Sequence, residues 1–333
     1  ASDVYKRQAL HHSQIAKKWF RKDPEMEERI RAFFEFVFDR QQVWHRRSRL
    51  CLPAPWSDDD ILRNYRFCNV YRELDGGTQA IVKYLKPGIS PEQKLFNIVA
   101  YRFFNRRDTI ENLFGGLLEI ENFNFKFLEQ RFDEKKKHQS IFSNAYLITA
   151  HSFNPDYRPR DKHIQILLML NDLRMRLKPL LAELQSSPAQ DGPGIVSRHV
   201  PLAGPFLSGQ ILLDATYAGD IVPYTSDDFL VVGPGAHWGL DIIFGRHLSK
   251  KEAAAKCRAL RELQAEGFAE LKRLKNKDWQ EIRWDNPAYP GQPYLSLHDI
   301  QNSLCEFRKY WRLKHGEKAK RRYFTACSQT DCL

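Results

Sequence analysis

The sequence lacks the patterns that would anchor the protein in a membrane or bind a structural metal. Its six cysteines include no Cys-x-x-Cys pair and no alternation with histidine at zinc-ligand spacing. No apolar run approaches the roughly 18 to 20 residues that a membrane-spanning helix needs. We therefore expect a soluble protein of a reducing, intracellular compartment, with no structural zinc and no membrane partner. The choice between nucleus and cytoplasm stays open.

Acidic residues are too few to balance the basic ones. The chain has 41 Asp and Glu against 52 Lys and Arg, which gives a formal net charge of +11. Such a surplus favours polyanionic partners, with nucleic acid first and phosphorylated small molecules second. Its 333 residues, 42% of them hydrophobic and 13% aromatic, can fill a sizeable core. The composition therefore predicts a folded globular protein with nucleic acid as its first expected partner.

Strand patterns are scarce, whereas helix-start signals recur along the chain. The expected N-terminal caps are Asp23, Ser90, Ser249 and Ser296. One strand is expected over 145–150, and a long helix over 161–185 with a kink at Pro179. We predict a mostly α, multi-helical fold with two lobes around a central cleft.

The breaker-rich stretches predict the domain boundaries. Residues 1–22 form an N-terminal extension, of which 1–8 match no targeting pattern and are set aside as a truncation edge or sequence-end artefact. A helical domain is expected over 23–325, followed by a tail over 326–333. The segment SSPAQDGPG predicts a flexible loop that divides the two lobes near 186–199.

The stretch YRFCNVYRELDGGTQ concentrates hydrogen-bonding groups in a short amphipathic segment. A helix over 57–74 would place a guanidinium, an amide and a carboxylate on one edge of its apolar stripe. Asp75 before two glycines would then turn the backbone tightly. The groups expected on this edge are Arg66, Asn69, Glu73, Thr78 and Gln79. A surface network, with Gly76 as an ordinary helix stop, is the alternative.

A second region, HVPLAGPFLSGQILLDATYAGDIVPYTSDDFLVVGPGAHWG, loosely resembles the hairpin of helix-hairpin-helix DNA glycosylases. In that resemblance Asp227 and Asp228 stand near the place of the catalytic aspartate. Leu202 replaces an expected glycine and Phe206 a frequent lysine, which argues against base excision itself. Further candidates here are Gly233, Gly235, His237 and Trp238, the last two for stacking on a base. Alternatively, the glycines end an element and the tryptophan lies in the core.

The third region, LSLHDIQNSLCEFRKYWRLKHGEKAKRRY, predicts a helix with a clear apolar stripe. Its opposite face carries His298, Asn302, Glu306 and Lys309. That face lines a cleft in one interpretation and is solvated in the other. The basic residues from Lys314 to Arg322 suit phosphate contacts or form a disordered end.

Together and in this order, these regions resemble the alpha-glutamyl/putrescinyl thymine pyrophosphorylase family, whose domain is also the helical domain of 5-hydroxymethyluracil DNA kinases. The segments that carry the resemblance are RFCNVYRELDGGTQ, GPFLSGQILLDATY, DDFLVVGPGAHWGLD and HDIQNSLCEFRKYWR. It extends from about residue 25 to 325. The resemblance implies a DNA-glycosylase-like helical scaffold. It also implies an enzyme that displaces pyrophosphate from a 5-hydroxymethyl group on DNA with an amine.

That reaction assigns roles to the candidates. Pyrophosphate would be bound by Arg66, Arg72 and Lys309. The proton of the amine would pass to Asp228 or Asp227, with Asp75 or Glu306 next. The flipped base would be read by Asn69, Gln79 and Asn302 and would stack on Trp238 or Tyr310.

The resemblance also implies the partners of the reaction. No metal ligand and no cofactor are assigned, and a need for Mg²⁺ is left open. The amine donor would be an amino acid or a polyamine. A separate base kinase is expected, since the sequence has no Gly-x-x-x-x-Gly-Lys-Ser/Thr motif. The alternatives are a non-catalytic DNA-binding helical module and a glycosylase-like base excision protein.

Overall fold

The structure is a computed structural model that describes residues 23–143, 161–286, 294–319 and 321–324. Regular secondary structure in these ranges is helical, apart from an isolated antiparallel bridge between Tyr65 and Tyr323. The prediction of a mostly α, multi-helical fold is therefore confirmed. The strand expected over 145–150 lies outside the described residues. No helix in these ranges is long and apolar enough to cross a membrane.

The α-helices follow one another closely along the chain. In the first half they are α1 Pro24–Trp44, α2 Asp60–Asn64, α3 Gly76–Val82, α4 Pro91–Phe104, α5 Arg107–Leu113 and α6 Phe125–His138. In the second half they are α7 Lys162–Leu173, α8 Leu177–Ser186, α9 Gly192–His199, α10 Pro205–Thr216, α11 Pro234–Phe244, α12 Lys250–Lys275, α13 Trp279–Ile282 and α14 Leu297–Lys314. A π-helical turn, His45–Arg49, extends α1, and 3₁₀ turns cover Arg72–Leu74, Arg174–Arg176 and Ala189–Asp191.

The chain divides into two compact units. The first comprises the described residues up to Asp75 and from Val232 onward, and the second comprises Gly76–Val231. In the first unit α14 packs against α11, α12 and α1. In the second, α4 packs against α8 and α10 around an apolar core. The sequence alone predicts neither boundary.

The predicted caps are the physical reason that several helices begin where they do. Asp23 accepts hydrogen bonds from the amides of Glu25 and Met26, at 3.0 and 3.2 Å. Ser249 and Ser296 each form a complete capping box with the acidic residue three positions on. These bonds satisfy amides that the first helical turn leaves without a partner. The sequence prediction of these helix starts is confirmed.

Two glycines let α11 lie close to α14. A methyl group at Gly239 would collide with the carbonyl oxygen of Leu304, and one at Gly235 would collide with the sulfur of Cys305. Close approach places the backbones of the two helices side by side. This contact fixes the position of α14 and of the polar side chains that it carries.

The prediction of a helix over 57–74 is wrong. The helix α2 ends at Asn64, residues 65–71 are not helical, and a 3₁₀ turn follows. The polar groups of this segment bond to α1 and α14 instead of facing solvent along a helix edge. Gly76 does not stop a helix either, because α3 begins there.

The segments around Pro179 and Ser186 also differ from expectation. The helix expected over 161–185 is interrupted by the 3₁₀ turn Arg174–Arg176, and Pro179 lies in the first turn of α8, where a missing amide hydrogen costs no helical bond. The stretch 186–194, expected to be a flexible loop, contains a 3₁₀ turn and the start of α9. It lies inside the second unit, and the units divide elsewhere.

The cysteines do not all behave as expected. Cys68, Cys257 and Cys305 are free thiols. Cys51, in contrast, is disulfide-bonded, which a fully reduced chain would not be.

Candidate functional site

A group of charged and amide side chains gathers in the first unit where residues 66–75 pack against α1 and α14. We call this group the polar cluster; its members are Arg40, Asn69, Arg72, Asp75, Asn302, Glu306 and Lys309. Arg40, Arg72 and Glu306 are buried, whereas the other four are half-buried. The cluster therefore has a buried floor and a rim that solvent reaches.

Arg40 comes from the apolar face of α1 and forms the floor of the polar cluster. Its Nη2 donates to the carbonyl oxygen of Phe67 at 3.0 Å and to Oδ1 of Asn69 at 2.6 Å. Its Nη1 is buried and has no hydrogen-bond partner among the described residues. Burial lowers the pKa of Arg40 to about 10, with the charge of Asp75 opposing the change. The guanidinium still carries its charge at neutral pH.

Residues 69–75 form a compact turn held by side-chain hydrogen bonds. Oδ1 of Asp75 accepts from the Asn69 amide at 2.9 Å, and Oδ2 pairs with Nη1 of Arg72 at 2.5 Å. Nδ2 of Asn69 donates to the carbonyl oxygen of Leu74 at 2.5 Å. These bonds replace the helical ones that the sequence predicts here.

The helix α14 supplies the other side of the cluster. Oε2 of Glu306 accepts from the Cys68 amide at 3.1 Å, while Oε1 pairs with Lys309. Nδ2 of Asn302 donates to the carbonyl oxygen of Asn69 at 3.0 Å. Burial is the largest single influence and lowers the pKa of Lys309, but the charge and the hydrogen bond of Glu306, together with the nearby cysteines, outweigh it and the net change is a rise. Lys309 therefore stays cationic beside a carboxylate.

The thiol of Cys68 is not a nucleophile of this site. Burial, followed by the charge of Glu306, raises its pKa well above the ordinary value of a thiol. The reactive form of cysteine is the thiolate. Cys68 thus contributes its backbone amide, and its sulfur stays protonated.

Two buried acids lie beside the cluster. Glu73 accepts from Nδ2 of Asn286 at 2.8 Å, and Asp299 accepts from the Arg72 amide at 2.8 Å. Burial raises the pKa of Glu73, although the hydrogen bond from Asn286 opposes it. Burial and the charge of Glu73 raise the pKa of Asp299 well above its usual range. The two acids therefore resist simultaneous ionisation.

An exposed aromatic side chain stands on α11. Trp238 is 48% exposed, and the guanidinium carbon of Arg308 lies 3.9 Å from the centre of its ring. A large exposed ring next to a cation is suited to stacking on a nucleic-acid base. The alternative, a buried core tryptophan, does not hold here.

The structure brings six of the predicted site residues together. They are Asn69, Arg72, Asp75, Asn302, Glu306 and Lys309. Asn302, Glu306 and Lys309 all come from the polar face of α14, which is therefore not a fully solvated face.

Other predicted residues of the first unit lie apart from the cluster or have structural contacts. Arg66 is exposed, and its backbone amide donates to the carbonyl oxygen of Arg322 at 2.7 Å. His298 is buried, and Tyr310 donates to Asp59 at 2.7 Å. Gly233 caps α11, and Gly235 lies in its first turn.

Four predicted residues belong to the second unit. Thr78 accepts a long hydrogen bond, 3.5 Å, from Arg102, and Gln79 is exposed. Asp228 accepts from the amide and hydroxyl of Thr225, at 2.7 and 2.9 Å, so that its carboxylate holds a turn. The amide of Asp227 donates to the same hydroxyl, at 3.3 Å. A turn-forming role therefore explains the carboxylate of Asp228, whereas Asp227 contributes its backbone amide to the same turn.

The residues that sequence reasoning missed are charged groups inside apolar stretches. Arg40 follows the buried FFEFVF run, and Arg102 interrupts the apolar face of α4. Arg102 forms a two-pronged ion pair with Asp214 of α10, and both side chains are almost wholly buried. A buried charge needs a partner. A charged residue on an apolar helix stripe is therefore the signal that would have identified Arg40, Arg102 and Asp214.

Two groups of His and Asp in the described residues have ligand atoms close enough to hold a metal ion. They are His237, Asp241 and His247, and Asp133, Asp161 and His163. A surface cavity of about 400 Å³ lies in the second unit, lined by residues of α8 and α9 such as Glu183 and Arg198. It contains none of the predicted site residues.

The fold and the polar cluster together define a multi-helical protein with buried cations beside carboxylates. The family described as the helical domain of 5-hmdU DNA kinase matches residues 27–320. The chain therefore belongs to this family.

A 5-hmdU DNA kinase of Bacillus phage SP10 is 26% identical to the chain over 241 residues. The match covers 67% of the chain and 38% of the phage protein, so the chain spans about two fifths of that relative. No solved structure matches.

Proposed function

We propose that the chain modifies thymine-derived bases in DNA, replacing a pyrophosphorylated 5-hydroxymethyl substituent with an amine. Family membership supports the substrate class, because the curated relative is named for 5-hydroxymethyldeoxyuridine in DNA. The observation that carries the proposal is the buried Nη1 of Arg40, which has no acceptor among the described residues. A buried cationic donor of this kind is well suited to an anionic oxygen.

The leaving group binds to the cationic side of the polar cluster. Arg40 and Arg72 present guanidinium groups, whose planar donors match phosphate oxygens. Lys309 adds a third positive charge at the half-buried rim. Charge that accumulates on departing pyrophosphate is stabilised by cations already fixed in position. Arg40 and Arg72 are fixed by Asn69 and Asp75, respectively.

Glu306 takes the proton of the attacking amine. The amine nitrogen forms a bond to the 5-methylene carbon, and the bond from that carbon to oxygen breaks, leaving its electron pair on pyrophosphate. The extra proton on nitrogen passes to the Glu306 carboxylate. Asp75 is the second candidate for this role. We prefer these two over Asp228, because its carboxylate holds a turn of the second unit, and over Asp227, which lies in the same turn.

Base recognition is assigned to the amides of the rim and to the exposed ring of α11. Asn69 and Asn302 lie at the half-buried edge of the cluster, where an amide can pair with a base edge. Trp238, with Arg308 over its ring, provides a stacking surface for DNA. The net charge of +11 supplies the general attraction to the DNA backbone.

Two other functions fit part of the same geometry. A non-catalytic DNA-binding module would use the cations for phosphate contacts, and the carboxylates would only orient them. A glycosylase would leave an abasic site; the five-residue connection from α9 to α10 lies where the sequence resembles the hairpin of such enzymes. Phosphorylation of the base belongs to a separate kinase in our proposal.

The test is mass spectrometry of nucleosides from DNA that carries pyrophosphorylated 5-hydroxymethyluracil. The DNA is incubated with the protein and a pool of amino acids and polyamines. We expect a new thymine adduct, equimolar release of pyrophosphate, and the identity of the donor from the adduct mass. Intact base with tight, salt-sensitive binding would overturn the transferase and leave the binding module. An abasic site would establish the glycosylase instead.

Two variants locate the proton acceptor. Glu306→Gln should lower the transfer rate by about 10²–10⁴-fold, the usual contribution of a general base. Asp228→Asn serves as the matched control and should keep the rate within about threefold, with urea unfolding used to confirm that both variants fold. If only Asp228→Asn loses activity, the proton acceptor is Asp228 of the second unit and our assignment to Glu306 is wrong.

A further inference from the structure

The helix α11 and the loop that follows it bring two imidazoles and a carboxylate together. His237 and Asp241 lie one turn apart on α11, with Nε2 and Oδ1 separated by 3.7 Å. Nδ1 of His247 lies 2.9 Å from Oδ2 of Asp241. The ligand atoms of all three residues lie within 4.8 Å of one another.

A left-handed glycine explains how the third residue reaches the helix. α11 ends at Phe244, and Gly245 adopts a φ of +66°, a conformation that favours glycine. The chain then folds back, so that the ring of His247 stacks on that of His237 with centroids 5.2 Å apart. Two residues later Ser249 caps α12. The loop is thus held at both ends by helices.

Backbone groups already orient two of the three side chains. The Leu248 amide donates to Oδ1 of Asp241 at 2.9 Å, and the Leu248 carbonyl oxygen lies 2.7 Å from Nε2 of His237. Nearby Arg246 pairs with Glu252, which offsets its positive charge. The arrangement therefore offers two neutral nitrogen ligands and one anionic oxygen ligand on a supported frame.

We propose that His237, Asp241 and His247 bind a divalent metal ion of the zinc type. Two imidazoles with one carboxylate suit this borderline ion, and such sites complete a four-coordinate shell with water. Tetrahedral ligands at ordinary zinc distances are roughly 3.3 Å apart, so the ligand atoms need only small shifts. His247 is 80% exposed and can make such a shift.

Binding requires one change of proton position. Nε2 of His237 must accept the metal, so its ring proton has to lie on Nδ1, and the contact with the Leu248 carbonyl is given up. That carbonyl can then occupy the fourth position or leave it to water. The ion would join α11 to the loop before α12. This metal site contains no residue of the polar cluster, and its proposal does not rest on the transferase proposal.

Cobalt(II) is the probe, because its visible absorption reports both geometry and ligand type. Tag-free, chelator-treated full-length chain is titrated with Co²⁺, and Zn²⁺ is then added in competition. We expect one Co²⁺ per chain, a tetrahedral or five-coordinate spectrum without thiolate charge-transfer bands, and displacement by Zn²⁺. Absence of these bands excludes the cysteines as ligands. Failure to bind Co²⁺, or a thiolate spectrum, would overturn the proposal.

Substitutions assign the site. His247→Asn should weaken binding by about 100-fold or more, since loss of an outer-shell partner alone costs roughly 10–100-fold. Asp241→Asn, which can still accept from the Leu248 amide, is the second ligand variant, and circular dichroism shows whether each one folds. His138→Asn is the control, because His138 is also an exposed histidine paired with a carboxylate. Equal affinity in the two ligand variants and the control would reject the site.

One further variant separates the two candidate groups. Asp161→Asn removes a possible ligand from the group of Asp133, Asp161 and His163. We expect unchanged Co²⁺ binding. If this variant loses the metal while His247→Asn keeps it, the ion belongs to the other group and our assignment is wrong.

Discussion

Each of the two units contains a buried arginine, but the arginines have different surroundings. In the second unit Arg102 and Asp214 form a two-pronged pair, with side-chain exposures of 2% and 0%. In the first unit Arg40 donates to a carbonyl and an amide, and its Nη1 has no acceptor among the described residues. The pair of Arg102 and Asp214 is closed to solvent, whereas the polar cluster of the first unit has a half-buried rim.

This difference separates a structural charge from a binding charge. A closed pair offsets its own desolvation and has no capacity left for a ligand. An incompletely satisfied cation retains the capacity to bind an anion, at a cost to the stability of the unliganded fold. The comparison therefore favours a folding role for the Arg102 pair and agrees with our proposal that the polar cluster binds substrate.

The largest expected effect is on folding. Asp214→Asn leaves the Arg102 guanidinium buried without its counter-charge, and we expect the free energy of unfolding to fall by about 3–5 kcal/mol. Urea unfolding measures it. Asp108→Asn, at an exposed ion pair with Arg106, is the control and should change stability by less than about 0.5 kcal/mol. A loss below about 1 kcal/mol in Asp214→Asn would remove the distinction between the two units.

The next effect is on ligand-dependent stability. Inorganic pyrophosphate at ten times its dissociation constant should stabilise the protein by about 1.4 kcal/mol through mass action. Arg40→Lys should lose most of this gain, because lysine keeps the charge but not the planar set of donors. Asp214→Asn should keep it, despite its lower starting stability. An equal gain in Arg40→Lys and the unaltered protein would contradict the binding role of the cluster.

The smallest effect is a change in pH dependence. Burial raises the pKa of Glu73, so the folded state holds a proton that the unfolded state has lost. Its contribution to stability is complete below the unfolded pKa and disappears as pH rises through the folded pKa. Glu73→Gln should therefore show a smaller decrease in urea midpoint between about pH 5 and about pH 8. The pKa of Asp299 is raised as well, so part of the decrease in urea midpoint should remain in Glu73→Gln.

Glu111 provides the control of opposite sign. The hydrogen bond from Lys83 lowers the pKa of this exposed acid. Any stabilisation from Glu111 is thus present at neutral pH and lost as pH falls. Glu111→Gln should remove none of the decrease in urea midpoint at high pH. If the midpoint of Glu73→Gln changes with pH in parallel with that of the unaltered protein, the prediction is wrong.

Helix content and helix starts could be predicted from the sequence because they depend on local interactions. A serine or aspartate cap bonds to amides two or three residues away, as at Asp23 and Ser296. The polar face of α14 could also be predicted from periodicity, and it contributes Asn302, Glu306 and Lys309 to the cluster. These three members of the candidate site were therefore predictable by type and position, whereas Asn69, Arg72 and Asp75 were predicted by type on a helix that does not form.

Only the tertiary structure decided the conformation of residues 65–75 and the place of Arg40. Helical periodicity fits that segment, yet its amides and carboxylates form long-range bonds with α1 and α14 that local patterns do not encode. The pairing of Arg102 with Asp214 depends on packing in the same way. Sequence by itself determined the helical class and the starts of the capped helices, because the relevant bonds are local. The tertiary structure decided which charges are paired and which stay available, because burial is set by residues distant along the chain.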